Sequence, residues 1–236
     1  MATTKLASQD VRQVAGELPR CRSVLAVCAH PDDESFGLGA VLARFEGLGS
    51  SVSVICLTHG EASTLGESAE GDLAALRQSE LINAAEALSL HAVRLLSYQD
   101  GALRTEPQDR LAAHVTEMAG ETDADLILAF DEGGITGHPD HMAATAAGIL
   151  AASQLGTPVL AWTLEQRVAD ALNSAFASTA FKGRATGDLD IRLEVDRQSQ
   201  MRAIACHKSQ SFDNPVLRRR LAEQGTIEVL RWLHQR

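Results

Sequence analysis

Two short stretches hold most of the side chains that could do chemistry in this 236-residue chain. Ala29-His30-Pro31-Asp32-Asp33-Glu34 packs an imidazole and carboxylates into neighbouring positions. Gly137-His138-Pro139-Asp140-His141 supplies two further imidazoles and another carboxylate. A hydrolytic zinc site takes three protein ligands from His and carboxylate and keeps a position for water, whose pKa falls toward about 7. His30 and Asp33, in a turn stiffened by Pro31, can point into one space, and His141 is the best third ligand. Nitrogen and oxygen donors suit Zn2+, and Fe2+ or cobalt could occupy the same set. Asp32, left outside the set, could take a proton from water as general base. His138 could oppose charge on a tetrahedral oxyanion or protonate a leaving amine, with Asp140 holding it in orientation.

Each stretch taken alone has a plainer reading. Asp32 and Asp33 could cap a helix starting near Phe36, since acids favour helix N-termini. His138 and His141 could be surface histidines. Their placement changes the weighing. The first stretch follows the apolar run 24–28 and the second follows the apolar run 126–130. Such runs, bounded by polar turns, read as buried parallel strands, and loops at the carboxyl ends of parallel strands form the ligand crevice of open α/β sheets. Two His- and Asp-rich loops are therefore expected to meet in one crevice.

The rest of the chain alternates in the same way. Strands are expected at 52–57, 92–96 and 158–163, with an edge strand at 191–195. Helical spacing covers 36–48, 73–88, 110–119, 142–154, 197–207 and 216–233, and a short leading helix could span 9–18. Residues 61–72 read as a loop near the site. Alternating strands and helices imply an α/β fold: a mostly parallel twisted sheet with helices on both faces. No repeat or linker divides the chain, so one domain is expected over 1–236, with 1–20 as an N-terminal extension.

Composition narrows the function classes. The formal net charge of −10 argues against non-specific nucleic-acid binding and weakly against anionic membranes. No apolar run approaches the roughly 18 residues of a spanning helix, and residues 1–20 lack the pattern of a signal peptide. Cys21, Cys28, Cys56 and Cys206 show no C-x-x-C spacing, which fits free thiols in a reducing cytoplasm. The Arg218-Arg219-Arg220 run reads as the solvated face of the last helix. His91, His114 and His234 read as surface residues, and His59 as a loop histidine. The sequence is compatible with a homo-oligomer and fixes no number of subunits.

The two motifs resemble those of the LmbE-like, PIG-L-type zinc-dependent N-deacetylases, which act mainly on N-acetylglucosaminyl conjugates and include enzymes of the mycothiol and bacillithiol pathways. The resemblance covers most of the chain. Thr58-His59-Gly60-Glu61, Arg77-Gln78-Ser79-Glu80, Tyr98-Gln99-Asp100-Gly101 and Cys206-His207-Lys208-Ser209-Gln210 follow in the family's order. The resemblance implies a Rossmann-like fold. It also implies zinc on His30, Asp33 and His141, Asp32 as general base, His138 at the oxyanion, and Arg77 and Asp100 at sugar hydroxyls. A hydroxyl contact at Arg77 would make Arg77→Ala raise KM more than it lowers kcat. His207 is open between a buried structural role and a substrate contact. Thr136 stands where several members carry a carbonyl-polarising tyrosine, and Met201 where a basic residue is common.

The implied function is removal of acetyl from an N-acetylglucosamine-type conjugate, a small soluble amino sugar. A metal-dependent amidase acting on another amide, such as a thiol conjugate, is the alternative. A Rossmann-type nucleotide-binding domain is disfavoured, because Leu42 replaces the third glycine of the phosphate loop and Asp32 and Asp33 would repel phosphate. A silent metal-binding protein would not require Asp32 and His138.

Overall fold

Every residue of the first expected strand is buried, and the same holds for the strands at Leu126–Phe130 and Val159–Thr163. Strands covered on both faces need such continuous apolar runs. The computed structural model describes residues 16–65 and 72–235. In chain order its elements are β1 (Ser23–Cys28), α1 (Asp33–Phe36), α2 (Gly39–Gly47), β2 (Ser51–Thr58), α3 (Leu73–Ala87), β3 (Ala92–Tyr98), α4 (Gln108–Glu121), β4 (Leu126–Phe130), α5 (Gly134–Gly137), α6 (Pro139–Leu155), β5 (Val159–Thr163), α7 (Gln166–Ala175), β6 (Ile191–Glu194), α8 (Gln198–Cys206), α9 (Lys208–Ser211), α10 (Pro215–Gln224) and β7 (Ile227–His234).

The strands form one sheet in the order β3-β2-β1-β4-β5-β7-β6. The pairings from β3 to β5 are parallel, and β7 runs antiparallel to both neighbours. Alternate side chains of the central strands feed opposite faces. Val24, Ala26 and Cys28 join one core with residues of α2, α3, α7 and α8. Leu25, Val27 and Ile127 join the other with residues of α4 and α6. The α/β sheet covered on both faces is therefore as expected. All four cysteines are free, Cys28 and Cys56 within the sheet core.

Several expectations change. The helix expected over 36–48 starts later, at Gly39, because a separate short helix ends at Phe36; between them a Cβ on Gly37 would lie 2.4 Å from the Phe130 ring. The helix expected over 216–233 stops at Gln224. Gly225, at φ +58°, ends it, and Ile227–His234 then fills the open edge of β5 as β7. The arginine run is not wholly solvated: Arg220 is buried, stacks over Trp162 and donates to the Phe36 carbonyl. Of the histidines read as surface, His91 is exposed, whereas His114 is half-buried with Nε2 3.1 Å from the Tyr98 hydroxyl, and His234 is half-buried in β7. Most of the leading helix expected at 9–18, and the centre of the 61–72 loop, lie outside the described residues.

β7 is anchored by charge as well as by its ladder. Glu228 is fully buried, accepting from Arg197 at 2.5 Å and from the Trp162 indole at 2.5 Å. Glu228→Ala leaves the indole N–H without its acceptor and the Arg197 guanidinium without its carboxylate. It is expected to cost about 3–5 kcal/mol, read as a lower urea midpoint with an unchanged slope.

Candidate active site

β1 and β4 are hydrogen-bonded neighbours, and the chain departs from them to opposite sides of the sheet, to β2 and β5. That reversal opens a crevice beyond their carboxyl ends. The loop after β1 carries His30, Asp32 and Asp33, and the loop after β4 leads to His138 and His141. The two loops meet as expected.

Three donor atoms converge there. His30 Nδ1 lies 3.2 Å from His141 Nε2, which lies 3.1 Å from Asp33 Oδ1. Asp33 and His141 are hydrogen-bonded from behind, and His30 faces carboxylates. Asp33 Oδ2 accepts from the main-chain N–H groups of Ala29 and His30, at 2.9 and 3.0 Å. His141 Nδ1 faces the Gly134 carbonyl at 3.2 Å. His30 Nε2 is 3.0 Å from Asp100 Oδ1 and 3.5 Å from Asp140 Oδ2. Burial would lower the pKa of His30, but the carboxylates of Asp100, Asp140 and Asp33 carry it up to about 10. Burial would raise Asp33, yet the His141 and His30 charges hold it far below the usual carboxylate range. A cation in the place of those protons meets the same carboxylates.

His138 completes the cluster. Ligating atoms of His30, His138 and His141 lie within 4.8 Å of one another, as do those of His30, Asp100 and Asp140. Asp140 treats His138 differently from the expectation. Its carboxylate accepts from the main chain of Gly101 at 2.7 Å and of Leu103 at 3.1 Å, so it pins the turn behind His30. Only its own main-chain N–H reaches His138, donating to Nδ1 at 3.3 Å at the start of α6. That bond makes Nδ1 the acceptor and leaves the proton of a neutral ring on Nε2. Burial, with His141 and His30 nearby, lowers the pKa of His138 and favours the neutral form.

Asp32 sits beside this cluster at positive φ. Its Oδ2 accepts from Arg77 Nη2 at 2.9 Å. Burial pushes its carboxyl up to about 6, with Arg77 opposing. Arg77 and Asp100, expected at sugar hydroxyls, both line the cleft and also bond within the protein. Buried Arg77 also donates to the carbonyls of Gly60, at 2.5 Å, and Pro31. Gly60 must lack a side chain, because a Cβ there would lie 2.0 Å from the guanidinium. Asp100 backs His30 and accepts from the Ala62 N–H at 2.9 Å. His59 contacts Ser97 Oγ at 3.2 Å and stays out of the donor set.

These groups line a cleft of about 430 Å³. Asp32, His138 and the exposed Thr136 face it on the polar side, and Phe36, Phe130, Trp162, Phe181 and Leu217 form an apolar wall. Sequence reasoning missed that wall, which draws on five separated segments. It also gave no task to Glu34, although the first motif contains it.

The model of one family, GlcNAc-PI de-N-acetylase (PIG-L), matches residues 25–152, more than half of the chain. The chain belongs to the PIG-L family. PIG-L relatives include a 1D-myo-inositol 2-acetamido-2-deoxy-alpha-D-glucopyranoside deacetylase of Kineococcus radiotolerans, 32% identical over 53% of this chain and 43% of that one. The chain spans about half the length of several curated relatives that it matches. It covers far more of a probable N-acetyl-alpha-D-glucosaminyl L-malate deacetylase 2 of Bacillus anthracis, at 26% identity over 91% of this chain and 92% of the relative. The zinc-inhibited form of the teicoplanin deacetylase Orf2 shares the fold, with a TM-score of 0.66 at 19% identity over 89% of this chain and 97% of that one. The PIG-L match begins within β1 and contains β4 and both His-Asp motifs.

The bond from Arg77 to Asp32 adds a second kinetic expectation beside the one drawn from a hydroxyl contact. Arg77→Ala frees the Asp32 carboxylate and two carbonyls at once. It is expected to lower kcat about 100-fold with a smaller change in KM, and to lower stability by at least about 2 kcal/mol. Steady-state kinetics with a urea melt would check both; a change confined to KM would favour the sugar contact.

Proposed function

We propose that this protein is a metal-dependent hydrolase that removes acetyl from an N-acetylglucosamine-type conjugate, releasing acetate and a free amine. The observation that carries the reading is the convergence of His30 Nδ1, His141 Nε2 and Asp33 Oδ1 beside the Asp32 carboxylate. Tetrahedral zinc ligands at about 2.0–2.1 Å stand about 3.3 Å apart, close to the two separations measured here. Imidazoles backed by a carboxylate and a carbonyl are the usual outer partners of such ligands. The residues therefore fit a divalent ion, most simply Zn2+, held by His30, Asp33 and His141. When bound, the ion would act as a Lewis acid toward the amide oxygen and make water easier to deprotonate.

The protein's own groups supply the rest. Asp32 takes the proton of the attacking water and passes it to the departing nitrogen. Its raised pKa brings it near working pH, where a general base is most effective. Arg77 keeps the Asp32 carboxylate turned to the cleft. His138, with its proton on Nε2, donates to the developing oxyanion as a neutral ring. Thr136, also at the cleft, has no phenol to add to that donor. The two deacetylase relatives named above support the substrate class, since both are named for 2-acetamido sugars.

None of the helices among the described residues is long and apolar enough to cross a membrane. We place the reaction in the cytoplasm, on a small amino-sugar substrate, with no role for nucleic acid. The apolar wall favours a second reading within the same chemistry, an amide carrying an apolar group. One panel tests both. The metal-loaded protein is offered N-acetylated amino sugars, with and without apolar substituents, together with non-sugar amides, and amine release is measured. Turnover of the non-sugar amides alone would replace the deacetylase reading with a broader amidase.

A further inference from the structure

Asp32 adopts φ 123° and ψ −24°, a region that side-chain-bearing residues rarely enter. Such a conformation persists only where its surroundings over-determine it. The Asp32 N–H donates to Glu34 Oε2 at 2.9 Å, and its carbonyl accepts from the N–H groups of Ser35 and Phe36 at 3.0 and 2.6 Å. Glu34 is fully buried, and its other oxygen accepts from Ser35 Oγ at 2.6 Å and meets His207 Nε2 at 2.6 Å. His207 is fully buried too, and neither residue lines the cleft.

Further bonds lie between the His207 segment and the helix that carries Arg77. Two residues after His207, the N–H and Oγ of Ser209 donate to Glu80, at 2.8 and 2.6 Å. Glu80 lies on the same face of α3 as Arg77, three residues away. Glu34, backed by His207, thus holds the Asp32 main chain, and Arg77 holds its side chain. These bonds draw on motifs that lie far apart in sequence.

We propose that Glu34 and His207 are positioning residues, a buried pair that holds the Asp32 main chain in its strained turn so that the carboxylate faces the cleft. The proposal rests on the reading of Asp32 as general base. Three donors converge on the two oxygens of Glu34. A glutamine has one acceptor oxygen, so Glu34→Gln must release at least part of that set. Once freed, Asp32 would turn back toward ordinary backbone angles and carry its carboxylate away from the water. The ion pair could instead serve stability alone, and the experiment separates the two roles.

The full-length metal-loaded protein would be prepared as wild type, Glu34→Gln, Asp32→Asn and the double variant. Kinetics, metal content and the amide exchange rate of Asp32 by NMR would be read on each. Glu34→Gln is expected to lower kcat about 10- to 100-fold with KM and metal content little changed. The loss should vanish in the Asp32→Asn background, the non-additivity that marks two residues acting through one. The Asp32 amide should exchange at least about 10-fold faster in Glu34→Gln. Should that variant fail to fold, His207→Gln, which keeps a donor toward Glu34, enters the same cycle. An equal loss in both backgrounds, a loss confined to KM, or unchanged Asp32 exchange would overturn the proposal. Full turnover in Asp32→Asn would remove the general-base reading and the catalytic purpose of the pair, while the exchange rate still reports whether the pair holds the turn.

Discussion

Asp32→Asn is expected to bind metal as wild type does and to lose about 10²–10⁴-fold in kcat, the usual cost of removing a general base. The amide nearly matches the carboxylate in shape and can still accept from Arg77 through its oxygen, so the turn after β1 has little reason to move. What it loses is the capacity to take a proton at neutral pH. Among the described residues the carboxylates that line the cleft are Asp32, Asp33 and Asp100, and the proposal gives that role to Asp32. Asp33 is held ionised by His141 and His30. Asp100 and Asp140 are tied to main-chain N–H groups and to the far side of His30. The variant's metal content and melting temperature should therefore match wild type while turnover collapses. A variant that lost metal together with activity would move Asp32 into the donor set and undo its separation from Asp33.

The convergence of His30, Asp33 and His141 was legible in the sequence because both of its parts are local. His30 and Asp33 share one turn, His138 and His141 share another, and each turn directly follows an apolar strand. Strand adjacency then brings the turns together without any further information. Features that depend on distant partners were not legible. Residues Ile227–His234 have a pattern compatible with helix, and only the open edge of β5 makes them a strand. Arg220 reads as one of three exposed arginines until Trp162 and the Phe36 carbonyl take it into the interior. Arg77 and Asp100 were placed by motif at a ligand, yet their partners, Asp32 and His30, lie 45 and 70 residues earlier. Position in a motif identified residues that belong to the site; it could not say whether each faces substrate or a neighbouring side chain. Glu34 shows the same limit, because its partner His207 lies 173 residues away.

Removing metal with a chelator is expected to abolish turnover, and re-adding Zn2+ to restore it, without unfolding the chain. The stripped turn should survive because Asp33 Oδ2 remains tied to two main-chain N–H groups and Arg77 still joins Pro31, Gly60 and Asp32. The single variants should then fall into two grades. His30→Ala or His141→Ala removes one of three proposed donors and should leave no stoichiometric metal after dialysis. Asp100→Asn touches no proposed donor atom but weakens the partner of His30 Nε2. Losing an outer partner of this kind typically costs about 10–100-fold in metal affinity, so Asp100→Asn should still load at raised zinc and recover much of its activity there. Metal analysis across a zinc titration would resolve the grades. If Asp100→Asn lost metal as completely as His141→Ala, the ion would belong on the other side of His30, in the His30, Asp100 and Asp140 cluster. His30 would then have to ligate through Nε2, and Asp33 would keep only its main-chain bonds and its contact with His141. Asp33→Asn provides the complementary measurement: with the ion between Asp33 and His141 this variant must weaken zinc, and with the ion on the far side it should not.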